Sequence, residues 1–147
     1  MPANDVLRET LPSGALRLSS GRASFTYERL RQGALLITVD GIDNGQFGTA
    51  TLDEVRIEFL RHRPLELFVD AQAAVAIGVG VSKEGTHFFA LTREHLKRVS
   101  VLVGSKAIEL TVAIAQHLSQ TGNLIQIYTD RELFESRVSA ARGPSGQ

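Results

Sequence analysis

Hydrophobic and polar positions recur with two periods along this chain, and the switches between them mark its elements. Residues 99–103, Val99-Ser100-Val101-Leu102-Val103, form a short run rich in β-branched side chains, which suits a strand buried on both faces. Gly104 and Ser105 interrupt it, and Ser105 stands where a helix cap belongs. A helix is predicted over 106–119, with Ile108, Val112, Ala115 and Ser119 on one stripe and Ala107, Leu110 and Ile114 widening the apolar arc. Thr121-Gly122-Asn123 stops it, residues 124–128 read as a second strand, and Thr129-Asp130 caps a last helix over 131–141. Strand, helix and strand at this spacing imply two parallel neighbours joined by a right-handed crossover.

The first half alternates with period two. Residues 15–19 and 23–30 read as strands, the second placing Ala23, Phe25, Tyr27 and Arg29 on one face. Arg31-Gln32-Gly33 turns the chain into 34–40, a more continuously apolar run that belongs nearer the centre of a sheet. Residues 41–48 are polar and glycine-rich and read as a loop. Thr51-Leu52-Asp53-Glu54 fits a capping box, ahead of a helix to about residue 60 that His62-Arg63-Pro64 ends. A strand over 65–70 ends in Asp70. Residues 71–81 are small and apolar and fit a loop, an extra strand or a helical turn; Ser82 then caps a helix over 83–98 with Phe88, Leu91 and His95 on one face and Phe89, Thr92 and Leu96 beside them. Residues 1–14 are expected to be a flexible arm or a short edge element, 15–141 one domain, and 142–147 a disordered tail.

Composition narrows the function classes. Sixteen basic residues balance sixteen acidic ones and aromatics are 6%, so neither a global field nor a stacking surface points to nucleic acid. Cysteine is absent, which removes disulfides, thiol catalysis and cysteine metal sites. No apolar run approaches the roughly 20 residues that span a bilayer. Met1-Pro2-Ala3-Asn4-Asp5 lacks the pattern of a signal peptide. The expectation is a cytoplasmic protein without stable membrane insertion.

Candidate chemistry is sparse. Glycines in 76–83 invite an anion-binding loop, but the phosphate-loop and dinucleotide fingerprints are missing, and a structural loop is the simpler reading. Asp70, Ser105 and Asp130 fall at predicted carboxyl ends of parallel strands, where ligands of open α/β sheets collect. Ser105 with Lys106 suits an anion; helix capping explains Ser105 and Asp130 without one. His87 and His95 lie about 80° apart around a helix, unlike a helical metal pair, so no metal site is expected. Arg56, Arg61, His62 and Arg63, and likewise Arg93, Lys97 and Arg98, sit near helix C-termini, where cations offset the dipole. No serine occupies a nucleophile elbow, and no catalytic residue or cofactor is assigned.

The order of elements resembles the STAS and anti-sigma-factor-antagonist fold, including bacterial stand-alone domains of that kind. The resemblance covers roughly 24–140 and rests on Thr51-Leu52-Asp53-Glu54, on the strand ending Val69-Asp70, on Val101-Leu102-Val103-Gly104-Ser105, and on Ile127-Tyr128-Thr129-Asp130. It implies an α/β single domain with a mixed sheet, antiparallel strands first and a parallel β-α-β unit last, and helices mainly on one face. It also implies signalling through a protein partner rather than catalysis. Antagonists of this type carry an Asp-Ser-Ser-Gly phosphorylation motif; here the strand runs Asp70-Ala71-Gln72-Ala73, so the aspartate matches and the phosphorylatable serine does not. The expected contact surface is the sheet edge with 71–82 and the next helix start: Asp70, Val79, Ser82 and Lys83, with Ser105 and Lys106 nearby. Self-association through this segment is equally expected. The related CRAL-TRIO lipid-exchange fold makes a small-molecule or lipid-binding module the alternative, which requires an apolar pocket between sheet and helices. A hydrolase ranks last.

Overall fold

A computed structural model describes residues 5–143. Seven strands form one mixed sheet in sequential order: β1 (Leu7–Thr10), β2 (Leu16–Ser20), β3 (Ala23–Arg31), β4 (Ala34–Asp43), β5 (Leu65–Ile77), β6 (Leu96–Val103) and β7 (Ile125–Tyr128). The first three pairings are antiparallel hairpins, and the pairings from β4 to β7 are parallel. Val99 pairs with Ile125 and Val101 with Ile127, the parallel register that the C-terminal periodicity implies.

Topology decides where the helices go. The parallel strands are joined by α1 (Ala50–Arg61), α2 (Val79–Thr92) and α3 (Lys106–Leu118), and strand order advances in one direction throughout. Right-handed crossovers that never reverse direction place every connecting helix on the same face. Val55 and Phe59 of α1, Phe88 of α2 and Ile108 of α3 accordingly share one core with Leu67, Val99 and Val101. The last helix, α4 (Arg131–Arg142), crosses to no further strand and covers the opposite face, packing Phe134, Val138 and Ala141 on Phe68 and Leu102.

Several boundaries differ from the sequence expectation, each for a tertiary reason. The cap of α1 is Thr49, not Thr51, and its hydroxyl donates to Asp53 Oδ2 at 2.9 Å rather than accepting from the backbone. Phe47, buried edge-on against Phe25 at 5.0 Å, draws the helix start two residues earlier. Thr51 lies inside the helix, where its carbonyl accepts the Tyr27 hydroxyl at 2.8 Å. Strand β4 continues past residue 40 and β5 past Asp70, because Asp40–Asp43 pair in parallel with Ala73–Ile77 across two register shifts. Gly41 permits this: its φ is +89°, and a side chain there would meet the Arg22 carbonyl at 2.7 Å. Asp70 is therefore in mid-strand, not at a strand end.

Helix α2 begins at Val79, capped by Gly78; the Ser82 amide already donates to the Gly78 carbonyl at 2.9 Å, so Ser82 is helical rather than a cap. The helix ends at Thr92, and after a 3-10 turn at Arg93–His95 the chain enters β6 at Leu96, well before residue 99. Burial of Leu96 and its pairing with Leu65 win over helix continuation. Leu91, expected to share a face with Phe88, is 70% exposed while Phe88 is buried. On α3, Leu110 and Ile114 face outward instead of widening the core arc. Leu7–Thr10 within the expected arm is an edge strand, and Arg142, assigned to the tail, closes α4. The remaining residues of that arm and tail, 1–4 and 144–147, lie outside the described residues. Among the described residues, no helix is long and apolar enough to cross a membrane.

Candidate functional site

Between the sheet and the three crossover helices lies an apolar cavity of about 210 Å³. Its floor is Val39, Val69, Val99, Val101 and Ile125, side chains on the face that period-two alternation gives to the first core. Its roof is Leu52 of α1, Gly85 and Phe89 of α2, and Val112 and Ala115 of α3. The roof hydroxyls of Thr86 and Thr111 donate to the carbonyls of Ser82 and Ala107, at 2.9 and 3.0 Å, so they are already occupied. Among the lining residues Gly48, Ala76 and Glu84 are exposed and form the rim.

One ionisable group is buried in this wall. Leu35, Ile37 and Val39 point to the first core along β4, and Asp43 follows on the same side at 6% exposure. The Gly45 amide donates to its Oδ1 at 3.0 Å. Burial pushes the Asp43 carboxyl above its usual range; the Gly45 amide opposes that shift and the charge of Glu84 adds to it. The sequence placed Asp43 in a polar loop. The signal that finds it is the alternation of 35, 37 and 39 carried through Gly41.

The opposite face is covered by α4, which Phe134, Val138 and Ala141 seat on Phe68 and Leu102. Arg131 Nη2 donates to both oxygens of Asp70 at 3.0 and 2.8 Å, its Nε to Gln72 Oε1 at 2.6 Å, and its Nη1 to Glu135 at 2.6 Å. At the far end of α4, Arg142 meets Glu28 at 2.8 Å and Arg31 Nε donates to the Ala141 carbonyl at 2.6 Å. Beneath the helix, the Ser100 hydroxyl is buried without a partner.

The sequence-derived site residues therefore separate. Asp70 faces α4, across the sheet from α2 and α3. Ser82 lines the cavity, while Lys83 is exposed and Val79 is 73% exposed beside it. Ser105 Oγ accepts from the Ile108 amide at 3.2 Å and Asp130 Oδ1 from the Glu132 and Leu133 amides, so both cap helices. The Lys106 side chain is 96% exposed, in loose contact with Glu109 at 3.5 Å. The basic patch on α1 is largely paired: Arg56 contacts Asp53 at 2.8 Å and lies 5.0 Å over the Phe88 ring, and Arg61 meets Glu58 at 3.5 Å. His95 packs against Phe59 at 5.5 Å, and among the described residues no cluster of three or more potential metal ligands forms.

No family model matches the chain, and no curated protein matches it significantly. Solved structures do. An uncharacterised protein of the DUF3478 family with a SpoIIAA-like fold, from Shewanella loihica PV-4, superposes with a TM-score of 0.55 at 13% identity, over 82% of this chain and 98% of that one. An anti-sigma factor antagonist from Mycobacterium paratuberculosis gives 0.54 at 18% identity, over 80% and 94%. The fold is SpoIIAA-like. At these identities the likeness establishes the STAS-like architecture alone. The mixed sheet, antiparallel then parallel, with three of four helices on one face, is that architecture.

Proposed function

We propose that this chain is a non-enzymatic STAS-like regulatory or scaffold domain that acts through protein–protein contact. The observation that carries the reading is the set of large apolar side chains exposed on β5, α2 and α3. Val75 at the end of β5 is 64% exposed and Val79 at the start of α2 is 73% exposed. On α3, Leu110, Ile114 and Leu118 follow one another at helical spacing, 62%, 47% and 64% exposed, and α2 adds Leu91. Large apolar side chains grouped on a surface mark interaction sites more often than those scattered singly. The anti-sigma factor antagonist neighbour supports a binding role. Ser82, Lys83 and the 71–82 segment form the contact nearest the rim, and self-association through it is the simplest case. Sizing and cross-linking of the intact chain test this. The account expects association that Val79→Asp or Ile114→Asp abolishes with the circular dichroism spectrum unchanged. A strict monomer that retains no partner, indifferent to both substitutions, contradicts it.

A second reading has its own observation. The apolar cavity between sheet and helices is the feature that a small-molecule-binding module requires. Native mass spectrometry of the purified chain, before and after filling the cavity with Gly85→Leu, tests it: a bound mass lost in the variant supports the module, and ligand-free protein that takes up no apolar probe removes it.

A further inference from the structure

The charges around the cavity have one sign. Among the described residues, Asp43 and Glu84 are the only charged ones in its lining, with no lysine, arginine or histidine beside them. The Oδ1 atom of Asp43 is engaged by the Gly45 amide, while Oδ2 takes no hydrogen bond among the described residues. Asp43 is 6% exposed as a residue but its Oδ2 is not sealed from solvent, so an acceptor stands open in the cavity wall, and a cationic donor suits it best. Glu84, exposed at the rim, draws the same charge toward the opening.

We propose, building on the small-molecule reading, that the cavity takes a small amphiphile with an apolar body and a protonated primary amine, which Asp43 receives at Oδ2. Size sets the body. A cavity of about 150 Å³ accommodates benzene, so this somewhat larger one suits roughly eight to ten heavy atoms, such as an arylalkylamine. Fatty acids and phosphate-headed lipids are rejected, because their heads would meet two carboxylates and no cation. The groups that act on Asp43 are Glu84 from α2 and the Gly45 amide from its own loop, while Asp43 in turn acts on Tyr27 of β3. Tyr27 stays neutral, since burial raises its hydroxyl, and that hydroxyl is already given to Thr51. An ammonium at Asp43 favours the carboxylate over the acid, so binding releases a proton near the group's raised pKa and tightens as pH increases through it.

Three probes that differ in the head alone decide the matter: 2-phenylethylamine, 2-phenylethanol and phenylacetate, titrated by calorimetry and by amide and methyl shifts at Phe89 and Val112. The amine is expected to bind about ten-fold more tightly than the alcohol, and phenylacetate not measurably. Asp43→Asn keeps the oxygen that accepts from Gly45, so the loop stays formed. It is expected to bring the amine-to-alcohol ratio close to one. Equal binding of all three, or a preference that survives Asp43→Asn, overturns the amine assignment and leaves the small-molecule reading standing. No shift at Phe89 or Val112 with any probe overturns both.

Discussion

The two faces of the sheet solve the same packing problem differently. On one, three crossover helices sit where connectivity puts them, and their side chains leave a cavity of about 210 Å³. On the other, a single helix bound by no crossover settles onto Phe68 and Leu102 and is pinned at both ends by ion pairs and a side-chain-to-carbonyl bond. Helices held by topology must compromise among neighbours, whereas a terminal helix optimises one contact. The closed face therefore reads as stabilisation, and the open face as the place where function has room.

The sharpest way to break this contrast is to hollow the closed face. Phe134 is 1% exposed, and Phe134→Ala should cost about 3–5 kcal/mol in urea unfolding, whereas Phe89→Ala, at the border of existing space, should cost clearly less. Equal costs would mean that the two faces are packed alike. Next comes the pinning of α4. Arg131→Gln leaves Asp70, whose side chain is only 15% exposed, without its bidentate partner, and a loss of about 1–2 kcal/mol is expected, with faster hydrogen exchange confined to α4.

The open face should respond in the opposite direction. A Cβ at Gly85 meets nothing within 4 Å. Gly85→Ala should stabilise by up to about 1 kcal/mol through helix propensity. Gly85→Leu should add to that by filling the cavity, and no gain of leucine over alanine would mean that this position opens to solvent. Beneath α4, Ser100→Ala removes a buried hydroxyl with no partner and should stabilise by about 0.5–1 kcal/mol, although it lies on the better packed face.

The smallest effect is the one that depends on pH. Burial raises the folded pKa of Asp43 above 3.8, so its protonated form favours folding, and that contribution is lost as pH rises through the folded value. Asp43→Asn should be more stable than the parent above that point, with the gain vanishing toward acid pH in paired unfolding curves. A gain that is constant with pH would exclude Asp43 as its source.

What the sequence made legible follows the same division. The unit from Val99 to Tyr128 was readable because its β-branched run, its Ser105 cap and the Ile108–Val112 stripe all specify the same local structure. The start of α1 was not, since Phe47 fixes it through burial against Phe25, a contact distant in sequence. Residues 71–77 carry alanines that fit any conformation, and pairing of Ala71 with β6 and of Ala73–Ile77 with β4 makes them a strand. The cavity left no trace in periodicity because the apolar side chains around it follow the ordinary core pattern. It arises from how three helices fit together, and Asp43 was hidden by the glycines around it.

Xenon is the most direct probe of the contrast between the faces, because it enters dry apolar space without regard to head-group chemistry. In methyl-labelled protein under xenon pressure, shifts are predicted at Val99, Val101, Val112 and Ile125, with Leu102 and Val138 silent. Shifts of equal size on both faces, or none at the four cavity methyls, would contradict the account.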